Sequence, residues 1–217
     1  MSASKNHELR EREMMEMKKI VMVCAIAMLV CMNASMAQAQ AKYVDLELKA
    51  GSSSVSGSAS YIKPLYSGYM KIGGSGVYSD NAYQWGGIHL LVGSETLSPG
   101  LMAEVGLKGI FGSAEEHSYE GDIGAVAFTG RLVYALRRRN ETAIPLEAFC
   151  GMSFAPGPLS FLDTGSYLDM MVGIGIRIID QASLEISFHQ YDIDMEEGPG
   201  SWELDENEVR LGISMRF

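Results

Sequence analysis

NEVRLGISMRF, residues 207–217, alternates at every step. Val209, Leu211, Ile213, Met215 and Phe217 point one way, and Glu208, Arg210, Gly212, Ser214 and Arg216 point the other. A period of two is the mark of a β-strand. In a water-soluble sheet the apolar face meets a core and the polar face meets water. In a membrane barrel the apolar face meets lipid and the polar face meets a lumen. A strand that ends on phenylalanine, with arginines on its other face, favours the membrane arrangement if the rest of the chain agrees.

The same two-faced pattern recurs upstream. Candidate strands are Tyr43–Ala50, Ser54–Ile62, Ser67–Tyr78, Ala82–Gly93, Leu101–Phe111, Asp122–Leu136, Pro145–Phe154, Tyr167–Ile179, Ser183–Ile193 and Glu208–Phe217. Most are near or above the roughly 9–11 residues a tilted membrane strand needs. A typical soluble strand has about five or six. No segment keeps a helical period, and the prolines fall in turns or at strand starts, where no ladder hydrogen bond is lost. In Tyr167–Ile179 the residues Leu168, Met170, Val172, Ile174, Ile176 and Ile178 form one apolar face. Opposite them lie Asp169, Met171, Gly173, Gly175 and Arg177.

Charges of both signs occupy the polar faces. Lys71, Lys108, Arg131, Arg177 and Arg210 are matched by Glu104, Glu147, Asp169 and Glu185, with His189 among them. A barrel of about eight strands has an interior that side chains can fill. The expectation is therefore a lumen-facing charged network that pairs across a narrow or plugged lumen. Gly106, Gly151, Gly173 and Gly175 are expected to make room for the arginines. A soluble periplasmic barrel or sandwich would share the alternation and is the competing fold.

The connections favour the membrane. "GSAEEHSYEGD", "APGPLSFLDTGS" and "MEEGPGSWELDENE" are long and acidic or rich in Gly and Pro, whereas "GSETLSPG", "RRRNETAI" and "DQA" are shorter. Outer-membrane barrels have long loops outside and short turns in the periplasm. Both chain ends then lie in the periplasm and the strand number is even. Ten fits, and eight fits if residues 43–62 stay out of the wall.

Residues 17–39 read as a secretory signal peptide. Lys18 and Lys19 precede an apolar stretch from Ile20 to Met32, and Ala37-Gln38-Ala39 supplies a small-x-small cleavage site. The stretch is shorter than the roughly 20 residues of a spanning helix. Residues 1–16 read as a mis-started or disordered extension, and 40–217 as the barrel domain. Cys24 and Cys31 leave with the signal, so Cys150 stands alone and no disulfide framework is expected. Export is of the Sec type, into a Gram-negative outer membrane. The formal net charge of −10 offers no basic field for nucleic acid. The fold class expected is all-β: a transmembrane, antiparallel, up-and-down barrel of 8–10 strands behind a cleaved signal peptide.

"FAPGPLSFLDTGSYLD" carries Ala155-Pro156 after an aromatic residue, then Leu159-Ser160-Phe161, Asp163 and Tyr167. With "ASLEISFHQYDID" and the closing "VRLGISMRF", this stretch resembles the YfaZ family of outer-membrane proteins. The resemblance covers about a third of the chain, from Phe149 to Phe217. It implies a small outer-membrane barrel sorted through its last strand, Val209 to Phe217, by the barrel-assembly machinery. It implies no activity.

Three functional readings follow. The first is a non-enzymatic barrel with a minor porin-like, structural or surface role, monomeric, without cofactor or metal, and bounded by outer-membrane lipid. The second is a lipid-modifying enzyme of the lipid A deacylase kind. His189 shares a face with Ser187, and a histidine beside a serine can act as its base. The position two residues after the histidine is Tyr191, not the serine such an enzyme would carry. The third is cation binding by the carboxylate-rich stretch from Asp192 to Glu208, whose spacing is not that of a calcium loop. Trp202 within it is expected at the membrane interface or against a partner. "IGGSG", residues 72–76, is followed by no helix, so a phosphate-binding reading fails.

Overall fold

The computed structural model describes residues 43–80, 83–95, 99–116, 119–136, 145–179, 181–197 and 200–217. The extension at 1–16, the signal peptide at 17–39, Cys24 and Cys31 lie outside these residues. The described chain forms strands β1 (Tyr43–Ala50), β2 (Ser54–Leu65), β3 (Gly68–Ser79), β4 (Tyr83–Glu95), β5 (Leu101–Glu116) and β6 (Tyr119–Ala135). There follow β7 (Leu146–Ala155), β8 (Ser160–Leu162), β9 (Thr164–Ile179), β10 (Ala182–Glu197) and β11 (Gly200–Arg216).

Each strand pairs antiparallel with its neighbours, and β1 pairs with β11 from Asp45↔Arg216 to Ala50↔Leu211. The sheet therefore closes into a barrel whose wall has ten full strands. Along that seam closure removes the unpaired edge, which is what a sheet needs in lipid. Residues 43–62 are part of the wall, so the eight-strand alternative is excluded. Tyr43 and Phe217 meet at one end, the terminal rim, where the backbones of Val44 and Phe217 exchange two hydrogen bonds.

The small strand β8 explains the Pro/Gly-rich corner. Pro156 precedes a 3-10 turn at Gly157–Leu159, and β8 then lies beside β6 beyond the end of β7. Leu162 turns the chain into β9 with φ 62, in the left-handed region. Asp163 accepts a hydrogen bond from the Asp122 amide at 2.9 Å, and Ala155 and Tyr167 are fully buried. This stretch is wall, not free loop.

The other two long connections are strand as well. β5 and β6 run out to Glu116 and Tyr119, and β10 and β11 to Glu197 and Gly200. Alternation continues through these extensions with its polarity inverted. Near the terminal rim Leu184, Ile186 and Phe188 face outward, and Ser183, Glu185 and Ser187 face inward. Further along β10, Asp194 and Glu196 face outward, while Tyr191, Ile193 and Met195 are buried inside. The switch marks where lipid gives way to water outside the barrel. Pro64 lies inside β2 at its end, beyond the expected boundary. Trp202 does not sit at a membrane interface: it packs inward against the far-rim core and stacks with Tyr119. Cys150 is exposed on the outward face of β7.

Candidate functional site

The interior has two storeys. Toward the terminal rim it is charged. Asp45 on β1 accepts from Lys71 Nζ at 3.2 Å and from Arg216 Nε at 2.7 Å. Glu47, two residues on, accepts from Arg131 Nη1 at 3.0 Å. β1 and β6 lie on opposite sides of the wall, so this pair crosses the lumen. Lys49 bridges Glu47 at 3.4 Å and Glu185 at 3.0 Å. Between these chains lies the Phe149 ring, with Lys49 Nζ at 5.0 Å and Arg131 Cζ at 5.4 Å from its centroid. Such cation–π contacts hold the long side chains in one geometry. Arg177 pairs with Glu147 nearer the rim.

Lys108 bridges Asp169 at 3.1 Å, and Tyr69 donates to Glu104 Oε1 at 2.7 Å. His89 Nε2 lies 2.9 Å from Ser60 Oγ, and His189 Nε2 lies 3.1 Å from Ser187 Oγ. Arg210 is fully buried. Its Nε donates to Glu208 at 2.8 Å, Nη1 to the Tyr191 hydroxyl at 2.7 Å and Nη2 to the Tyr83 hydroxyl at 3.2 Å. Glu208 also accepts from the Ser53 and Ser54 amides at 2.8 and 3.1 Å, and from the Ser54 hydroxyl.

All ten residues expected in the lumen-facing network, from Lys71 to Arg210, thus lie on the inward face. Sequence reasoning missed Asp45, Glu47 and Lys49, of which Glu47 makes the cross-lumen pair and the other two pair with near strands. Their alternation is plain in YVDLELKA, but the serine-rich β2 beside them weakened the reading of that hairpin. The glycines serve other neighbours than the arginines. A Cβ on Gly173 would sit 2.5 Å from the Phe149 ring, and one on Gly106 would collide with the Leu90 carbonyl oxygen. They admit a ring and let neighbouring strands approach.

Beyond Arg210 the interior is apolar. Tyr83, Trp85, Tyr167 and Tyr191 pack edge-to-face or tilted at centroid separations of 5.6 to 6.4 Å. Above them Ile110, Ile123, Ile193, Met195 and Leu204 fill the space. Between the two storeys remains a cavity of about 160 Å³ lined by the serines of β2, Ser75, His89, Lys71, Lys108 and Arg131. Among the described residues Arg131 Nε, Glu104 Oε2, Ser75 Oγ and His189 Nδ1 are buried there without a protein partner. Polar atoms of this kind in a space that size are normally met by ordered water.

Ser187 and His189 share the inward face, as their alternation placed them, both at least nine-tenths buried. The carboxylates between Asp192 and Glu208 stand on strands. Among the described residues no group of three or more His, Cys, Asp or Glu side chains is placed to hold a metal ion.

A family model described as the outer membrane protein beta-barrel domain matches residues 22–217. Among solved structures the chain is similar to the copper transporter OprC at 15% identity and a TM-score of 0.30. That match covers 79% of this chain and 34% of OprC, so the chain spans about a third of that protein. It is also similar to the outer membrane protein Omp33 of Acinetobacter baumannii, at 10% identity and a TM-score of 0.31, over 81% of this chain and 97% of that one. No curated protein sequence matches the chain significantly. A closed barrel with an apolar outer band and a charged interior, matched over residues 22–217 by that family model, places the chain in the outer membrane protein beta-barrel family as a protein of the bacterial outer membrane.

Proposed function

We propose that this barrel is a non-enzymatic outer-membrane protein with a plugged or very narrow lumen, serving a structural, surface-interaction or minor porin-like role. The carrying observation is the Arg131–Glu47 pair reaching from wall to wall, tied by Lys49 to Glu185 and braced on Phe149. A wide aqueous pore needs that space empty. The balanced charges also leave little fixed field to select an ion. The protein works as a monomer, without cofactor or metal, among outer-membrane lipids. Its last strand, Val209 to Phe217, is the segment offered to the barrel-assembly machinery. The terminal rim faces the periplasm, which puts the strand-built extensions outside. Kinship with the YfaZ family is supported by the corner from Ala155 to Tyr167, whose buried ends and 3-10 turn give those residues a structural role.

The lipid A deacylase reading finds less support. An acyl ester in the membrane would have no route to a serine and histidine enclosed by Arg210 and Tyr191. The deciding experiment is single-channel recording of the folded protein in a planar bilayer, after an unheated-versus-heated gel shift shows the barrel. Silence or barely resolved steps are expected. Large, reproducible steps would defeat the plugged lumen and make Arg131 and Glu147 candidate gates.

A further inference from the structure

The two storeys meet the solvent differently. At the terminal rim the inward-facing Arg216 and Arg177 have side chains 56% and 42% exposed. At the other end Ile193, Met195, Ile123 and Ile110 are 0% exposed although they face the inside of the barrel. The cavity lies between. Its wall on β2 carries only small polar side chains inward, Ser56, Ser58 and Ser60, and Ser75 stands beside them on β3. Four orphan polar atoms point to water in it. Past Trp85 and Tyr191 the described inward side chains are mainly apolar, with Ser54 and Ser79 among the buried exceptions.

We propose that the lumen is a blind, water-filled vestibule entered from the periplasmic rim, and that the Tyr83–Trp85–Tyr191 aromatic cluster, together with the apolar layer of Ile110, Ile123, Ile193, Met195 and Leu204 above it, is the seal that shuts it from the outside. The proposal rests on the plugged-lumen reading and deepens it. It separates the ion-pair network, which narrows the lower lumen, from the aromatic seal, which blocks passage. Arg210 clamps the seal from below through the Tyr191 and Tyr83 hydroxyls, and Lys108 Nζ sits 4.3 Å from the Trp85 ring centroid. A dry aromatic layer over a charged, wet compartment is a barrier to ions, because an ion entering it sheds its water without a replacement partner. The permeant class, once the seal is removed, is small hydrophilic solutes and ions that fit beside the serines.

The test compares the full-length protein, exported and purified from outer membranes, with Trp85→Ser/Tyr191→Ser/Ile193→Ser/Met195→Ser, which opens both layers of the seal, each checked by the heated-gel shift. Wild type should be silent, and the quadruple variant should show steps at least tenfold above the wild-type baseline. In that variant Ser75→Cys, with Cys150→Ala to remove the outward thiol, should lose most of its current to a small water-soluble thiol reagent. A folded quadruple variant that stays silent overturns the seal while leaving the plugged lumen standing. A conducting wild type overturns the plugged lumen itself. If the quadruple variant does not fold, labelling on the otherwise intact barrel decides. Ser75→Cys should react with the reagent and Ala125→Cys, behind the seal, should not. An unreactive Ser75→Cys, or equal reaction at both sites, overturns the vestibule.

Discussion

At the scale of single residues, the interior is arranged so that few charges lack a partner. Glu47 serves Arg131 and Lys49 together, and Asp45 serves Lys71 and Arg216. Removing one member of a buried pair leaves the other charge uncompensated, whereas removing both costs much less. Glu47→Ala should therefore lower the unfolding free energy by about 3–5 kcal/mol. Glu47→Gln/Arg131→Met should recover at least half of that loss. Urea titration of the barrel in lipid vesicles measures both. Additive losses would show that the pair is not coupled. The inward position of each charge was legible from alternation alone. The pairing was not, because the partner of Arg131 depends on how the wall curls and in what register, and alternation along one strand holds neither.

At the scale of elements, the outer face sets the membrane band. Ile174 on β9 is 54% exposed and is flanked in the ladder by Ile186 and Ala148. Ile174→Arg should cost about 2–4 kcal/mol of insertion free energy, the penalty for a basic side chain facing lipid near mid-membrane. Equal insertion of variant and wild type in a vesicle-folding assay would reverse the inside and outside assigned here. The ten wall strands were readable, but the short β8 and the far ends of β5, β6, β10 and β11 were not. The acidic and glycine-rich stretches there look like loops by composition. They remain strands because their alternation is inverted, with Ile193, Met195 and Leu204 inward and Asp194, Glu196, Glu203 and Asp205 outward. That inversion brings acids together on the exposed face. Burial raises the Asp192 carboxyl above its ordinary range, and nearby Asp194 and Asp205 add to the rise. A carboxylate with a raised folded pKa opposes folding above that pKa, and the opposition disappears as pH falls toward its unfolded value. The β10–β11 extension should thus gain protection on acidification from neutral pH toward about pH 4, the ordinary range of an aspartate. Asp192→Asn should show most of that gain already at pH 7. Hydrogen exchange of the segment's amides, corrected for intrinsic rates, reads this. Unchanged protection in the variant would rule out the repulsion as its cause.

At the scale of the whole molecule, the barrel is closed by one seam. β1 and β11 are the strands farthest apart in sequence, and a contact over so long a loop carries a high closure entropy. The seam is held by more than its ladder. Glu208 on β11 takes the amides of Ser53 and Ser54 in the β1–β2 turn while its other side holds Arg210. A Cβ on Gly51 would collide with the Glu208 carboxyl, so the turn is fitted to that side chain. One carboxylate thus links the seam, the serine wall and the aromatic seal. Glu208→Gln keeps the shape but removes the charge that Arg210 requires, and Arg210 is left buried without compensation. The amides of β1 and the adjoining half of β11 should lose exchange protection first, by tenfold or more, while β5 and β6 on the opposite wall stay protected. The heated-gel shift should also move to lower temperature. A loss spread evenly around the barrel would mean that Glu208 supports general stability and not the seam. Loss confined to the β1–β11 pairing would identify this carboxylate as the latch of the closed barrel.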